Sequence, residues 1–303
     1  MSAVARFLDS DFVYGFKRSP IAMISFGVVL FIVLAALLAP WIAPHNPFDL
    51  ASLSLLDSLK PPAFSPDGDM DFLLGTDDQG RDILSGMMFG TRISLEVAVL
   101  AIGVSLLVGV TLGLVAGYTG GAVDSVLMRI VDVQLTFPAL LIALLTDGIV
   151  RAVLPRDMQE AVALDVIVFA IGISRWPQFA RTVRGSTMIE RGRDYVMAAK
   201  VIGISGPRIM LTHILPNVIG PVLVIATLNL GLAVLDEATL SFLGVGLPPT
   251  QPSLGTLIRF GNNFLFSGEW WVTIFPGVAL AAMVLSINLL GDWLRDALNP
   301  RLR

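Results

Sequence analysis

Cysteine is absent from the 303 residues, which excludes disulfides and thiolate metal sites. Histidine occurs twice, at His45 and His213, far apart in sequence, so no histidine-built metal site is expected. The three lysines follow Phe16, Leu59 and Ala199. A phosphate-binding loop needs Gly-Lys followed by Ser or Thr, so the chain has no such loop and is expected to bind no nucleotide itself. Neither a nucleophile-elbow motif nor a His-centred hydrolase motif is present, and no enzyme activity is expected. Charge is also scarce: 15% of residues are charged, against about 25% in a typical soluble domain. What fills the chain instead is apolar, 55% of residues, with a mean hydropathy of +0.79. This is the composition of an integral, all-α membrane protein.

Six apolar runs are long enough, or nearly so, to cross a hydrocarbon core of about 30 Å, which takes roughly 20 helical residues. They are 21–43, 93–118, 122–145, 161–180, 211–235 and 270–290. The first carries no charge and exceeds the apolar region of a cleaved signal peptide, and Ala39-Pro40 makes a poor cleavage site. The third carries Asp124, Arg129 and Asp132, and the fourth Asp165 and Arg175. Arg129 and Asp132 are three apart on one helix face, a spacing that suits an ion pair. The segment 44–90 is rich in Pro and Asp and reads as an ordered external loop.

Basic residues set the orientation. Arg6, Lys17 and Arg18 precede the first run, and Arg295, Arg301 and Arg303 follow the last. The connection between the fourth and fifth runs carries Arg181, Arg184, Arg191, Arg193, Lys200 and Arg208. The loop after the first run holds Lys60 and Arg81 against eight aspartates. The expected organisation is a cytoplasmic segment 1–20, a first span 21–43, an external loop 44–90, a five-helix core 91–292 with a cytoplasmic loop 181–210, and a cytoplasmic tail 293–303. Both termini lie inside.

Small residues recur every fourth position at Ala101, Ser105, Gly109, Gly113 and Gly117. That spacing puts all five on one helix face, where it permits close backbone approach, and marks a packing seam. Asn229 sits in the middle of the fifth run and Asn288 nearer the inner end of the sixth. A polar side chain at that depth must face a partner helix or a wet pathway, so both are candidates for lining a translocation path. The stretch from Asp236 to Glu269 is apolar but broken by Gly and Pro, and suits an interfacial or re-entrant element plus a loop.

The stretch DYVMAAKVIGISGPRIMLTHILPN, Asp194 to Asn217, reads as a short helix, a turn and the start of an apolar helix. Ala198 and Ala199 are small and helix-favouring, Gly203 can adopt the left-handed conformation that stops a helix, and Pro216 is tolerable in a first turn. The block Ala198-Ala199, Gly203, Leu215-Pro216 resembles the cytoplasmic coupling loop of ABC importer permeases, with Met197 and His213 departing from its pattern. GTDDQGRDILSGMMFGTRISL (from Gly75), EATLSFLGVGLPPTQPSLG (from Glu237) and GDWLRDALNPRLR (from Gly291) extend the likeness over nearly the whole chain. Together they are similar to the second permease subunit of the dipeptide, oligopeptide and nickel branch of that family. The resemblance implies a type I importer fold of six transmembrane helices with a coupling helix, in the bacterial inner membrane. It implies a paralogous permease, two cytoplasmic ATPases that carry ATP and Mg, and an external solute-binding protein, with no nucleic-acid partner. It further implies that Tyr195, Val196, Ala198, Ala199, Val201, Ile202, Gly203 and Pro216 form the ATPase-coupling segment, with Val196, Val201 or Ile202 as apolar anchor. The solute would then be a peptide, or a nickel complex, carried by alternating access; an ion-gradient-driven transporter is the competing class. Gly203→Pro or Ala199→Trp is expected to uncouple uptake from ATP hydrolysis while leaving membrane insertion intact, and normal uptake by both variants would count against the coupling role.

Overall fold

The computed structural model describes residues 11–49, 53–248 and 250–297; Arg6, Arg301 and Arg303 lie outside them. The described chain is helical, with one isolated antiparallel bridge between Thr76 and Asp82. Helix α1 (Asp11–Arg18) leads into α2 (Pro20–Ile42). Ser19 caps α2, its Oγ accepting the Ala22 N–H at 3.3 Å, and Pro20 stands in the first turn where its missing N–H leaves no gap. Helix α3 (Ile83–Thr119) is capped by Asp82, whose carboxylate accepts the Ser85 N–H, and is stopped by Gly120 at φ +69°. It begins inside the segment expected to be external loop. At 37 residues it is roughly 55 Å long and outreaches the bilayer core.

The seam on α3 packs against α6 (Ala163–Arg191). A Cβ at Gly109 would lie 2.5 Å from the Phe179 Cβ, one at Gly113 2.6 Å from the Ala180 oxygen, and one at Gly117 2.7 Å from the Thr187 Cβ. Ser105 Oγ donates to the Gly172 carbonyl at 2.8 Å, and Gly172 in turn leaves room for Val104. The contacts advance together along both helices, so α3 and α6 are parallel neighbours.

Parallel neighbours require the intervening chain to return to its starting side. The expected single span over 122–145 is corrected here: α4 (Gly121–Thr136) and α5 (Ala139–Val153) meet at 95°. Pro138 is the cause, since it has no N–H to donate and pushes the preceding residue out of the helical region; Phe137 is extended at φ −93°, ψ 140°. α4 descends alongside α6 through Asp124–Arg184 and Asp132–Arg181 ion pairs. Asp132 therefore pairs across helices with Arg181, not with Arg129 as the sequence spacing suggested.

Helix α6 runs past the expected end at Ala180 to Arg191. α7 (Asp194–Val201) follows, then a short turn of helix Gly206–Ile209, a π-helical turn Met210–Ile214, and α8 (Leu215–Phe242). α9 (Leu254–Asn262) covers the far end, and α10 (Trp271–Ala297) returns beside α2. Phe16 and Trp293 meet with ring centroids 5.2 Å apart, so α1 and the end of α10 lie at the same end of the bundle. Four helical segments are individually long and apolar enough to span a membrane: α2, α3, Gly206–Phe242 and α10. The chain is thus a multi-pass helical membrane protein. The other two expected runs differ, the third being bent at Pro138 and the fourth, α6, carrying four charges, of which Arg175 is buried and Asp165, Arg181 and Arg184 are exposed or half-buried.

The loop between α2 and α3 is ordered by charge. Asp77 and Arg81 pair at 2.6 Å with little exposure, and Trp271 Nε1 donates to the Thr76 carbonyl. Hydrogen bonds donated to Asp57 and Asp69 hold the Lys60 ammonium well above its ordinary pKa, and the same lysine holds Asp69 below the usual carboxylate range.

One charged cluster lies inside the bundle. Arg175 on α6, 5% exposed, donates through Nε to Asp236 Oδ2 at 2.7 Å and through Nη1 to Asn229 Oδ1 at 3.2 Å, both on α8. Breaking a buried pair strands its partner, whereas replacing both ends can be neutral. Arg175→Met is expected to lower the stability of the detergent-purified protein by about 3 kcal/mol, with Arg175→Met/Asp236→Leu recovering most of it in thermal melts. Gly113→Leu is expected to separate α3 from α6 and reduce the yield of folded protein several-fold, measured by gel filtration in detergent.

Candidate functional site

Helix α7 is built to stand at one end of the bundle with two unlike faces. Arg193 is extended at φ −75°, ψ 150°, which starts the helix; Asp194 in its first turn and Lys200 in its last complement the helix dipole. Its end is a Schellman motif. Gly203 takes φ +81°, its N–H bonds the Lys200 carbonyl at 3.0 Å, and the Ile204 N–H bonds the Ala199 carbonyl at 3.0 Å.

The inner face is Val196 and Ala199, both buried and packed into the core cluster that also holds Ile209 and Ile214. The outer face presents Met197, Ala198, Val201 and Ile202, with Val201 86% and Ile202 74% exposed. The eight coupling candidates therefore divide. Val196 is an anchor within the chain and is unavailable to a partner, which corrects its assignment as an outward anchor. Ala199 is likewise enclosed, so Ala199→Trp tests packing rather than docking. Val201 and Ile202 remain as uncovered apolar side chains beside Ala198.

Tyr195 ties the helix to its neighbours: its hydroxyl donates to Glu190 Oε2 and accepts from Asn217 Nδ2 at 3.1 Å. Burial first, and the Glu190 carboxylate second, raise the Tyr195 pKa above its ordinary value, so the phenol remains a donor. Lys200 Nζ lies 5.4 Å from the centroid of the Tyr118 ring at the end of α3. Pro216 follows the π turn, where the Leu215 N–H reaches back to the Met210 carbonyl. A proline cannot complete the ordinary bond to the carbonyl four residues back, and the wider turn accommodates it.

The two asparagines are placed apart from α7. Asn229 is 3% exposed; its carbonyl accepts from Arg175 and its NH2 donates to the Ile225 carbonyl at 3.0 Å. It faces a partner helix inside the chain, not an open groove. Asn288 is half-buried on α10 against Gly231 of α8, where a Cβ would lie 2.4 Å from its Oδ1.

Sequence reasoning missed Glu237. It is fully buried, accepting from Ser94 Oγ at 2.6 Å and Ser241 Oγ at 2.7 Å, while Ser94 Oγ also accepts the Leu254 N–H. One carboxylate thus joins α3, α8 and the start of α9. An acidic residue followed by Ser four positions later, at the end of an apolar run, was the available signal. Asp236, the partner of Arg175, is likewise an acidic residue at the end of that apolar run, but nothing in the sequence matches the two.

Residues 109–303 match the family model described as the binding-protein-dependent transport system inner membrane component, and residues 10–62 match the N-terminal TM domain of oligopeptide transport permease C. The dipeptide transport system permease protein DppC of Haemophilus influenzae is 39% identical over 97% of this chain and 95% of its own length. DppC of Escherichia coli K12 is 42% identical over 97% and 93%. The di/tripeptide transport system permease protein DppC of Pseudomonas aeruginosa is 39% identical over 91% and 86%. A chain of the MetNI methionine ABC transporter, in an inward-facing conformation, superposes with a TM-score of 0.55 at 18% identity, over 71% of this chain and 96% of that one, and so shares the fold. The helical bundle, the glycine-stopped helix at its end and these matches together show that the chain belongs to the family of binding-protein-dependent transport system inner membrane components.

Proposed function

We propose that this chain is one of the two permeases of an ATP-driven peptide importer of the bacterial inner membrane. Its partners in this reading are a paralogous permease, two cytoplasmic ABC ATPases that bind ATP and Mg, and an external solute-binding protein. Both termini lie in the cytoplasm, on the side of α7, and the basic residues around that end favour this orientation. Six crossings are favoured by the parallel packing of α3 and α6, which requires α4 and α5 together to return across the bilayer.

The observation that carries the reading is the outer face of α7. An uncovered Val-Ile pair, on a helix whose other face is locked into the core, suits a groove on an ATPase. ATP-driven closure of the ATPases would move α7. Val196 and Ala199 would pass the displacement into the core, and Arg175 would carry it between α6 and α8. The names of the three relatives described above, dipeptide or di/tripeptide permeases, support a peptide as solute over a nickel complex.

Ile202→Glu, in the complex reconstituted with its ATPases and binding protein, is expected to lower peptide uptake at least tenfold and to weaken ATPase retention on purification. The variant should leave the yield of inserted permease unchanged, because Ile202 is 74% exposed. Peptide uptake at the unmodified rate with full ATPase retention would overturn the assignment of this face.

A further inference from the structure

At the end of the bundle opposite α7 lies a polar cavity of about 320 Å³. It opens between the connection from α5 to α6 and the connection from α8 to α9. Arg151, Gln159, Glu160, Gly244, Gly246 and Arg259 are among the residues that line it. Its volume is at the low end of small-ligand pockets, roughly 300–1,000 Å³.

The two arginines are held differently. Arg151 is committed: Nε donates to Asp147 Oδ2 at 2.7 Å and Nη2 to the Gly246 carbonyl. Asp147 is 1% exposed, so this guanidinium is fixed from below. The Arg151 backbone is tied as well, its carbonyl accepting from Gln159 Nε2 at 2.9 Å. Arg259 is uncommitted. Its guanidinium lies flat over Gly244, where a Cβ would come within 2.7 Å of Cζ, and Gly244 itself is at φ +82°. Any other residue at 244 would be strained and would displace the guanidinium. Among the described residues Arg259 makes no ion pair, and Glu160 on the rim makes none either.

We propose that this cavity is a subsite on the permease for the C-terminal carboxylate of the incoming peptide, with Arg259 as the group that binds it. The inference rests on the reading of the chain as a peptide permease. A planar guanidinium with free donors matches a carboxylate through two parallel hydrogen bonds. Arg151, paired with Asp147 and bonded to the Gly246 carbonyl, supplies a fixed wall. Glu160 lines the same cavity and is of the sign that an ammonium group would meet. On the proposed orientation the cavity faces the side from which a binding protein delivers solute.

The test uses the whole complex in proteoliposomes, with its binding protein, and compares a dipeptide with the same dipeptide as its C-terminal amide. The unmodified complex must first take up the free-carboxylate dipeptide; failure there refutes peptide import itself. Arg259→Gln is then expected to raise the half-saturating concentration of that dipeptide roughly tenfold or more, and to leave uptake of the amide unchanged. Arg259→Lys is expected to recover part of the loss. An equal loss for both peptides, or none for either, would overturn the subsite. So would a variant that blunts ATPase stimulation by peptide-free binding protein, which would place Arg259 in docking that protein instead. A diazirine-bearing dipeptide supplies a second measurement on the unmodified complex, independent of folding in the variants. Label on residues 151–163 and 244–259 is expected, and label confined to other parts of the permease would overturn the proposal.

Discussion

The close approach of α3 to α6 is the constraint on which the rest of this structure depends. Lipid tails are as apolar as leucine, so helices in a membrane gain little from hydrophobic contact alone and associate through tight packing. Gly109, Gly113 and Gly117 remove the side chains that would hold α6 away, and backbone oxygens of α6 come within contact of the resulting groove. Because the two helices are parallel, their pairing forces α4 and α5 to bring the chain back, and the right-angle bend at Pro138 shapes that return.

On this framework the polar groups serve as fasteners between helices that lack other specificity. Arg175 reaches Asn229 and Asp236 on α8, Glu237 gathers hydroxyls from α3 and its own helix, and Asp124 and Asp132 bind α4 to Arg184 and Arg181 of α6. Each charge is covered by a partner of opposite sign or by hydroxyl donors. Burying it alone would be costly in a low-dielectric interior. The result is a rigid block to which α7 is attached through Val196, Ala199 and Tyr195. A force applied to the outer face of α7 therefore acts on packed helices and not on a loose loop. The π turn ahead of Pro216 is the one wide point between α7 and α8.

The two ends of the bundle differ in chemistry in a way that suits directional transport. One end carries an apolar tip, Val201 and Ile202, beside basic residues; the other carries an acidic, internally paired loop and a cavity lined by two arginines. The likeness in fold to a methionine importer at 18% identity shows that the bundle itself tolerates wide sequence change. What distinguishes members of such a fold is therefore carried by side chains at particular places.

Composition and local pattern alone determined that the chain is an all-helical membrane protein, where most apolar helices lie, which face of α3 is a seam, and where α7 stops. Each of these follows from a periodicity or from one residue's backbone freedom: fourfold spacing for the seam, and the left-handed conformation of Gly203 for the stop. The tertiary structure alone decided which face of α7 is inside, which removes Val196 from the three candidate outward anchors. It also decided that Asp132 pairs with Arg181 and not Arg129, that Asn229 is enclosed by Arg175, and that Arg151 and Arg259 share a cavity. The pattern over 122–145 reads as one apolar run, and only the structure shows the right-angle bend at Phe137-Pro138. The reason is common to all of these: a pairing between distant residues depends on how helices rotate and slide against one another, and nothing in the neighbouring sequence encodes that rotation.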